Sequence, residues 1–352
     1  MTDKILPESE TTSALTAHQS DIDCDFAAHV LIEYYGIHGK VRKLRSERDQ
    51  NFLVESVDGA KFTIKFAHPG EERTVSNFQT ELMRHINLRA PNLPIQQVRA
   101  TMDGRFELYI DCLGQMRTVR VVTYLEGQLM AQSPATSVQK FNLGNMAGLV
   151  TNALMDFRHP AQDHVLLWDV QHASSLREYV NAVVAPARRA MLAFCLDNFE
   201  ERVKPLLPSL RKSVVHNDMN GDNVLVNPQN TDEITAILDF GDSVYTAIVI
   251  DAAVGATYQM GTGENLLDGA LAYLRGYVAQ VPLLEEEVNI MFDLFLTRMF
   301  VRIVITEWRA RQFPDNREYI LRNTATSWSQ LEQLLSLSFE ETRSLIQSAC
   351  KE

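Results

Sequence analysis

The chain has 352 residues, of which 45% are hydrophobic and 22% charged, so it carries ample apolar material for a core and is not a long disordered polymer. Its 33 Lys and Arg against 45 Asp and Glu leave a net charge of −12, which excludes a general nucleic-acid binder: such a protein needs clustered cations to displace counterions from phosphates. The cysteines at 24, 112, 195 and 350 lie far apart in sequence, which excludes a CxxC metal pair and a dense disulfide framework and fits a reducing cytoplasm.

The first twenty residues are polar, without the apolar stretch of a secretory signal, and read as a flexible tail. Residues 21–36, DIDCDFAAHVLIEYYG, show apolar positions at helical spacing and end on Gly36. GKVRKLR, NFLVESV and AKFTIKF follow as short strands, the last two joined through the hairpin signal Asp58-Gly59. Residues 72–90 read as a helix ending before Pro91, and RFELYID and QMRTVRVVTYL as two strands joined through Leu113-Gly114. Beyond Tyr124 to Gly127 the pattern turns helical, over 135–157, 173–184 and 186–206. Residues 213–246 interrupt it with the apolar runs NVLVN and ITAILDF, and helices return over 248–350. The best membrane-span candidate, TAIVIDAAVGATYQM, is too short and holds Asp251 in its middle, so no membrane segment is expected. The expected architecture is α+β in two lobes: residues 21–124 as a strand-rich lobe, 125–127 as a hinge, and 128–352 as a larger helical lobe.

Chemistry concentrates in SVVHNDMNGDNVLVNPQNTDEITAILDFGDSVY. Polar groups between apolar strands are costly unless they are paired or bind a metal. Asp218 and Asn223 form D-x-x-x-x-N behind His216, and Asp239 opens D-F-G sixteen residues after Asn223. Phosphoryl transfer needs one carboxylate to receive the acceptor's hydroxyl proton, and an Asn and an Asp to hold Mg²⁺ against the phosphates. Asp218 takes the first role, with His216 orienting it, and Asn223 and Asp239 take the second, matching the few oxygen ligands Mg²⁺ accepts. In the first lobe Lys65, on the third strand, resembles the strand lysine that pairs nucleotide phosphates, and Glu81, sixteen residues on, is placed to hold it by a salt bridge. Tyr124 to Gly127, Glu126 included, would hydrogen-bond the edge of the base.

With these residues in view, the chain resembles the aminoglycoside phosphotransferase and choline kinase branch of the protein-kinase-like fold, and within it the hydroxylysine kinase group. DQNFLVES…GAKFTIKF, FRHPAQDHVLLWDVQHASSLREY, VVHNDMNGDNVLV and ILDFGDSVYTAIVIDAA carry the resemblance, which covers residues 25–330. It implies an ATP- or GTP-dependent, magnesium-requiring kinase acting on a hydroxyl of a small, amine-bearing molecule, with hydroxylysine the first candidate, as a monomer or homodimer. Two features depart from kinase patterns. RSERDQNF contains no glycine, so backbone amides of that loop and Ser46 are expected to cover the phosphates; and Asn217 stands where many relatives have Gly, in a type that tolerates unusual backbone angles. Asp242 reads either as a loop cap or as a ligand of magnesium or the substrate ammonium. Trp168 and Asp169 read as pocket-lining, with a helix cap the alternative for Asp169. The rival readings are an aminoglycoside- or choline-type kinase, a catalytically idle binding module, and a metal-dependent hydrolase, which would leave Lys65 unexplained.

Overall fold

Turn chemistry sets the register of the first sheet. At Asp58-Gly59 the Asp58 carboxylate accepts the Ala60 N–H at 3.1 Å and Gly59 takes φ 87°. At Leu113-Gly114 both residues have positive φ, 57° and 84°, the backbone twist a two-residue hairpin needs. The computed structural model describes residues 20–46 and 49–351; positions 1–19 of the expected tail, and 47–48 in the loop expected over the phosphates, lie outside the described residues. Ser20 is tied in, its N–H donating to Gln115 Oε1 at 2.8 Å.

Helix α1 (Cys24–Val30) is capped by Asp23, which accepts the Phe26 N–H, and passes through a π-turn (Leu31–Tyr35) to stop at Gly36, φ 64°. The sheet then forms from β1 (Gly39–Lys43), β2 (Gln50–Ser56) and β3 (Lys61–Phe66), helix α2 (Arg73–Arg89), and β4 (Val98–Arg99), β5 (Leu108–Cys112) and β6 (Gln115–Thr123). Its order is β1-β2-β3-β6-β4, with β5 pairing β6, all antiparallel. Period-two alternation divides its faces. Phe52, Ile64, Phe66, Val119 and Val121 pack with Ile22, Val30 and Leu31 of the α1 segment. Arg120 points the other way, donating to Ser76 O at 3.1 Å and Gln79 Oε1 at 2.6 Å on α2. Lys65 is paired with Arg120 on one side and Asn51 on the other, so it shares that face.

Contacts divide the chain into two compact units: one comprises the residues up to Glu126 with Phe157–His164 and Ala236–Gly241, the other Gly127–Asp156, Val165–Thr235 and the chain from Asp242 onward. Two short segments of the later sequence therefore belong to the first unit. In one of them the Phe157 ring meets Phe78 of α2 at 5.8 Å between centroids.

The second unit contains β7 (Gln128–Leu129), α3 (Ser137–Leu154), a 3₁₀ segment (Val170–Ala182), α4 (Pro186–Asn198), β8 (Lys212–Val215), β9 (Val224–Asn227), β10 (Asn230–Ile237, its last two residues in the first unit) and β11 (Val244–Ala247). Helices α5 (Ile248–Tyr258), α6 (Asp268–Val278), α7 (Glu285–Asn289), α8 (Met291–Gln312), α9 (Arg317–Leu321), α10 (Thr324–Ser336) and α11 (Phe339–Ala349) complete it. The strands form a three-stranded β10-β9-β7 sheet and a β11-β8 ribbon. The helix expected over 173–184 is instead 3₁₀ and starts earlier, because the Asp169 carboxylate caps it by accepting the Gln171 N–H at 3.0 Å. Among the described residues no helix is long and apolar enough to cross a membrane.

Helices α3 and α6 meet backbone to backbone. A Cβ on Gly144 would lie 1.9 Å from Tyr273 O, and one on Gly276 2.0 Å from Phe141 O. On helix propensity alone Gly144→Ala should stabilise by about 1 kcal/mol. The close approach reverses the sign: the expected result is a loss of about 1–3 kcal/mol in urea unfolding, the usual cost of overpacking. A variant as stable as the parent would contradict this packing.

Candidate active site

The second unit holds a polar loop between β8 and β9, flanked by buried strand residues Val214, Val215, Val224 and Val226. It begins at His216, 1% exposed, whose Nδ1 accepts the Asp218 N–H at 3.2 Å, so the imidazole carries its proton on Nε2 when neutral. Asn217 takes φ 63°, the left-handed region that Asn enters more readily than most side chains. Its N–H donates to Asp251 Oδ1 at 2.8 Å and its amide nitrogen to Asp242 O at 3.3 Å.

Asp218 carries three side-chain hydrogen bonds. Tyr258 Oη donates to Oδ1 at 2.8 Å; Asn220 Nδ2 and Asn223 Nδ2 donate to Oδ2 at 2.8 Å and 2.7 Å. Burial pushes the Tyr258 hydroxyl up to about 12, so it remains a donor. The Asn223 amide nitrogen also reaches Asp218 O at 3.0 Å. With its nitrogen committed to Asp218, Asn223 keeps its carbonyl oxygen as a free-standing acceptor of the kind a hard cation takes.

Asp251, on α5, is 2% exposed and accepts from Asn217 N–H, Thr151 Oγ1 at 3.2 Å and Tyr277 Oη at 3.5 Å. Burial raises its pKa, opposed by the Asn217 N–H and the charge of His216. Helix α8 adds Arg298, 1% exposed, which donates from Nη2 to Tyr258 Oη at 2.8 Å and from Nη1 to Trp168 O at 2.9 Å, and lies 4.0 Å from Asp218 Oδ1. Trp168 is half-buried, its ring 5.9 Å from the Arg298 guanidinium carbon. Asp169, in contrast, is 1% exposed and accepts the Thr246 hydroxyl at 3.2 Å. It is a buried cap and does not line a pocket, because its oxygens are occupied by the helix start and β11. Asp242 is half-buried and held at its carbonyl by Asn217.

The remaining expected residues lie in the first unit. Asp239 is exposed, takes φ 56° and accepts the Gly241 N–H at 3.1 Å on Oδ1. Strain at a non-glycine residue is a mark of functional loops. Lys65 is half-buried and makes no ion pair among the described residues. The expected Lys65–Glu81 pair is not formed: both Glu81 oxygens accept from Arg84 Nη1 at 2.7 Å. Arg84 lies one turn along the same helix and stacks 3.5 Å over the Phe106 ring, so little further ordering is needed for the contact. The Ser46 hydroxyl folds back onto Asp49 O. Tyr124 N–H is taken by Lys61 O at 3.0 Å, and the Glu126 carboxylate pairs with Lys61, both on the surface.

The reading above missed Tyr258, Arg298 and the use made of Asp251. The signal was present: Asp251 and Tyr258 interrupt the apolar helix IVIDAAVGATY, and Arg298 stands in the apolar stretch LFLTRMFV of the long helix MFDLFLTRMFVRIVITEWRARQ. Such residues need a buried partner.

The antiparallel sheet with its helix, and the loop-and-strand pair set among helices, are those of protein-kinase-like phosphotransferases. The structure aligns with a microcompartment-associated aminopropanol kinase at TM-score 0.71 and 15% identity, over 92% of this chain and 99% of that one. It aligns with the amicoumacin kinase hAmiN, solved with AMP-PNP and Ca²⁺, at TM-score 0.64 and 13% identity, over 93% and 100%. A profile described as the phosphotransferase enzyme family matches residues 40–283, and the chain belongs to that family. Among curated proteins it is similar to hydroxylysine kinase of Danio rerio, 27% identical over 91% of this chain and 94% of the relative, and of Mus musculus, 26% over 85% of each.

Replacing Asp251 tests its hold on the loop. Asp251→Asn keeps an acceptor for the Asn217 N–H; Asp251→Ala strands that donor in the interior, at about 1–3 kcal/mol. Urea unfolding should rank parent above Asn above Ala. An alanine variant matching the parent would remove Asp251 as the anchor.

Proposed function

We propose that this phosphotransferase moves the γ-phosphate of ATP or GTP to a hydroxyl of a small amine-bearing acceptor, with hydroxylysine the preferred candidate. The observation that carries the reading is the Asp218–Asn223 pair: one carboxylate and one amide fixed to each other, the amide oxygen left for a cation. Asp218 aligns the acceptor hydroxyl and receives its proton. Asn223 and Asp239 would hold Mg²⁺, which when bound offsets phosphate charge. Lys65, whose ammonium has no carboxylate partner among the described residues, neutralises the nucleotide phosphates, and the hinge backbone beyond Tyr124 meets the base. Trp168 and Asp242 border the acceptor, with the Asp242 carboxylate toward its ammonium. Most of the acceleration then comes from placement and charge neutralisation, since the reaction asks little covalent chemistry of the protein. Similarity to the hydroxylysine kinases of Danio rerio and Mus musculus supports this acceptor over an aminoglycoside or choline.

The test is nucleotide consumption with Mg²⁺ across hydroxylated amines, using both ATP and GTP. Asp218→Asn should lower kcat by about two to four orders of magnitude, the usual worth of a positioned base, with nucleotide affinity nearly unchanged. Near-normal turnover in that variant would remove Asp218 from the mechanism. Asn223→Ala should shift the magnesium dependence of activity to higher concentration; an unmoved titration curve would place the metal elsewhere.

A further inference from the structure

Helix α8 presents a second guanidinium, Arg302, one turn beyond Arg298. Its carbon lies 4.8 Å over the Tyr258 ring, and that of Arg298 5.4 Å over the same ring. Tyr258 donates to Asp218, so both cations stand around the group that holds the base. Their charges are not balanced. Asp218 is the carboxylate whose field reaches Arg302, it lies 4.0 Å from Arg298, and its oxygens already accept three hydrogen bonds. Among the described residues the Arg302 guanidinium has no ion pair and no hydrogen-bond acceptor, and Arg298 Nε is buried with none. Burial also presses the Arg302 guanidinium toward its neutral form, against the usual behaviour of arginine. Two cations of this kind beside one carboxylate leave a surplus positive charge in a partly dry place. That is costly unless an anion arrives with the ligand. A planar guanidinium matches a carboxylate with two parallel hydrogen bonds.

We infer that Arg302, backed by Arg298, binds a carboxylate of the acceptor, so that the enzyme selects hydroxylated amino acids over amino alcohols lacking that group. The inference rests on the kinase reading and adds the half of the acceptor that the acidic residues do not address. A phosphate of the nucleotide offers the same chemistry, and the kinetics separate the two.

The experiment measures steady-state kinetics on 5-hydroxylysine, its carboxamide and its decarboxylated diamine, then on a wider panel of hydroxylated amino acids and carboxylate-free alcohols. For the parent enzyme, kcat/KM should favour the free carboxylate by roughly 10- to 100-fold, the worth of a hydrogen-bonded charge. Arg302→Met should collapse that ratio toward unity, chiefly by raising KM for the carboxylated acceptor, while Arg302→Lys recovers part of it. Equal use of the amide and the acid by the parent overturns the inference and leaves the hydroxylysine reading in place. A rise in nucleotide KM without loss of the carboxylate preference assigns Arg302 to phosphate and also overturns it. If another hydroxylated amino acid is preferred and Arg302→Met erases its preference, the inference stands and hydroxylysine falls. A preferred acceptor without a carboxylate overturns the inference, and no turnover of any panel member sinks it together with the kinase reading. Should Arg302→Met fail to fold, the parent's ranking of acid against amide decides alone.

Discussion

One buried carboxyl group organises the loop between β8 and β9. Asp251 sits on α5 and gathers the Thr151 hydroxyl from α3, the Tyr277 hydroxyl from α6 and the Asn217 N–H from the loop. A carboxylate taken out of water demands such donors. In meeting that demand the structure fixes Asn217 in a left-handed conformation, one residue before Asp218. The neighbouring His216 ring then holds the Asp218 N–H. The position of Asp218 is therefore set through Asn217 by an interior carboxyl group that solvent does not reach.

The chemistry at Asp218 follows the same economy of donors. Asn223 holds the carboxylate with its nitrogen and keeps its oxygen available. Tyr258 binds the other carboxylate oxygen and is itself held by Arg298, which ties α8 to the loop. The electrostatics around this group are more cationic than the acidic sequence motif implies, since the nearest side chains contributed by α8 are guanidiniums. A net charge of −12 says nothing about so local a field. In the first unit the order is reversed: Arg120 is buried beneath the sheet on neutral acceptors of α2, while Glu81 closes on Arg84 of its own helix. Lys65 is thereby left with no carboxylate partner among the described residues.

The match to solved kinases at 13–15% identity shows how little of the sequence the fold requires. In this chain the fold rests on pattern, namely the alternation of β2, β3 and β6, the two tight turns, and glycines such as Gly144 and Gly276 where helices touch.

Periodicity, turn dipeptides and the H-x-D-x-x-x-x-N…D-F-G spacing were legible in the chain because they act over a few residues and carry their physical cause with them. They determined the strand-rich first part, the helical remainder, and Asp218, Asn223, Asp239 and Lys65 as the residues of interest. The cap at Asp169 was open to the sequence as an alternative, but the 3₁₀ form of 170–182 was not legible from the local helical spacing. Nor was the partner of Glu81, where Arg84 on the same helix competes with a lysine on a strand. Only the tertiary structure brought Tyr258, Arg298 and Arg302 to Asp218, and Asp251 to Asn217, across separations of 34 to 84 residues. A charge inside an apolar helix announces that it needs a partner; packing alone decides which one, because burial selects partners by distance in space and the sequence orders them by distance along the chain.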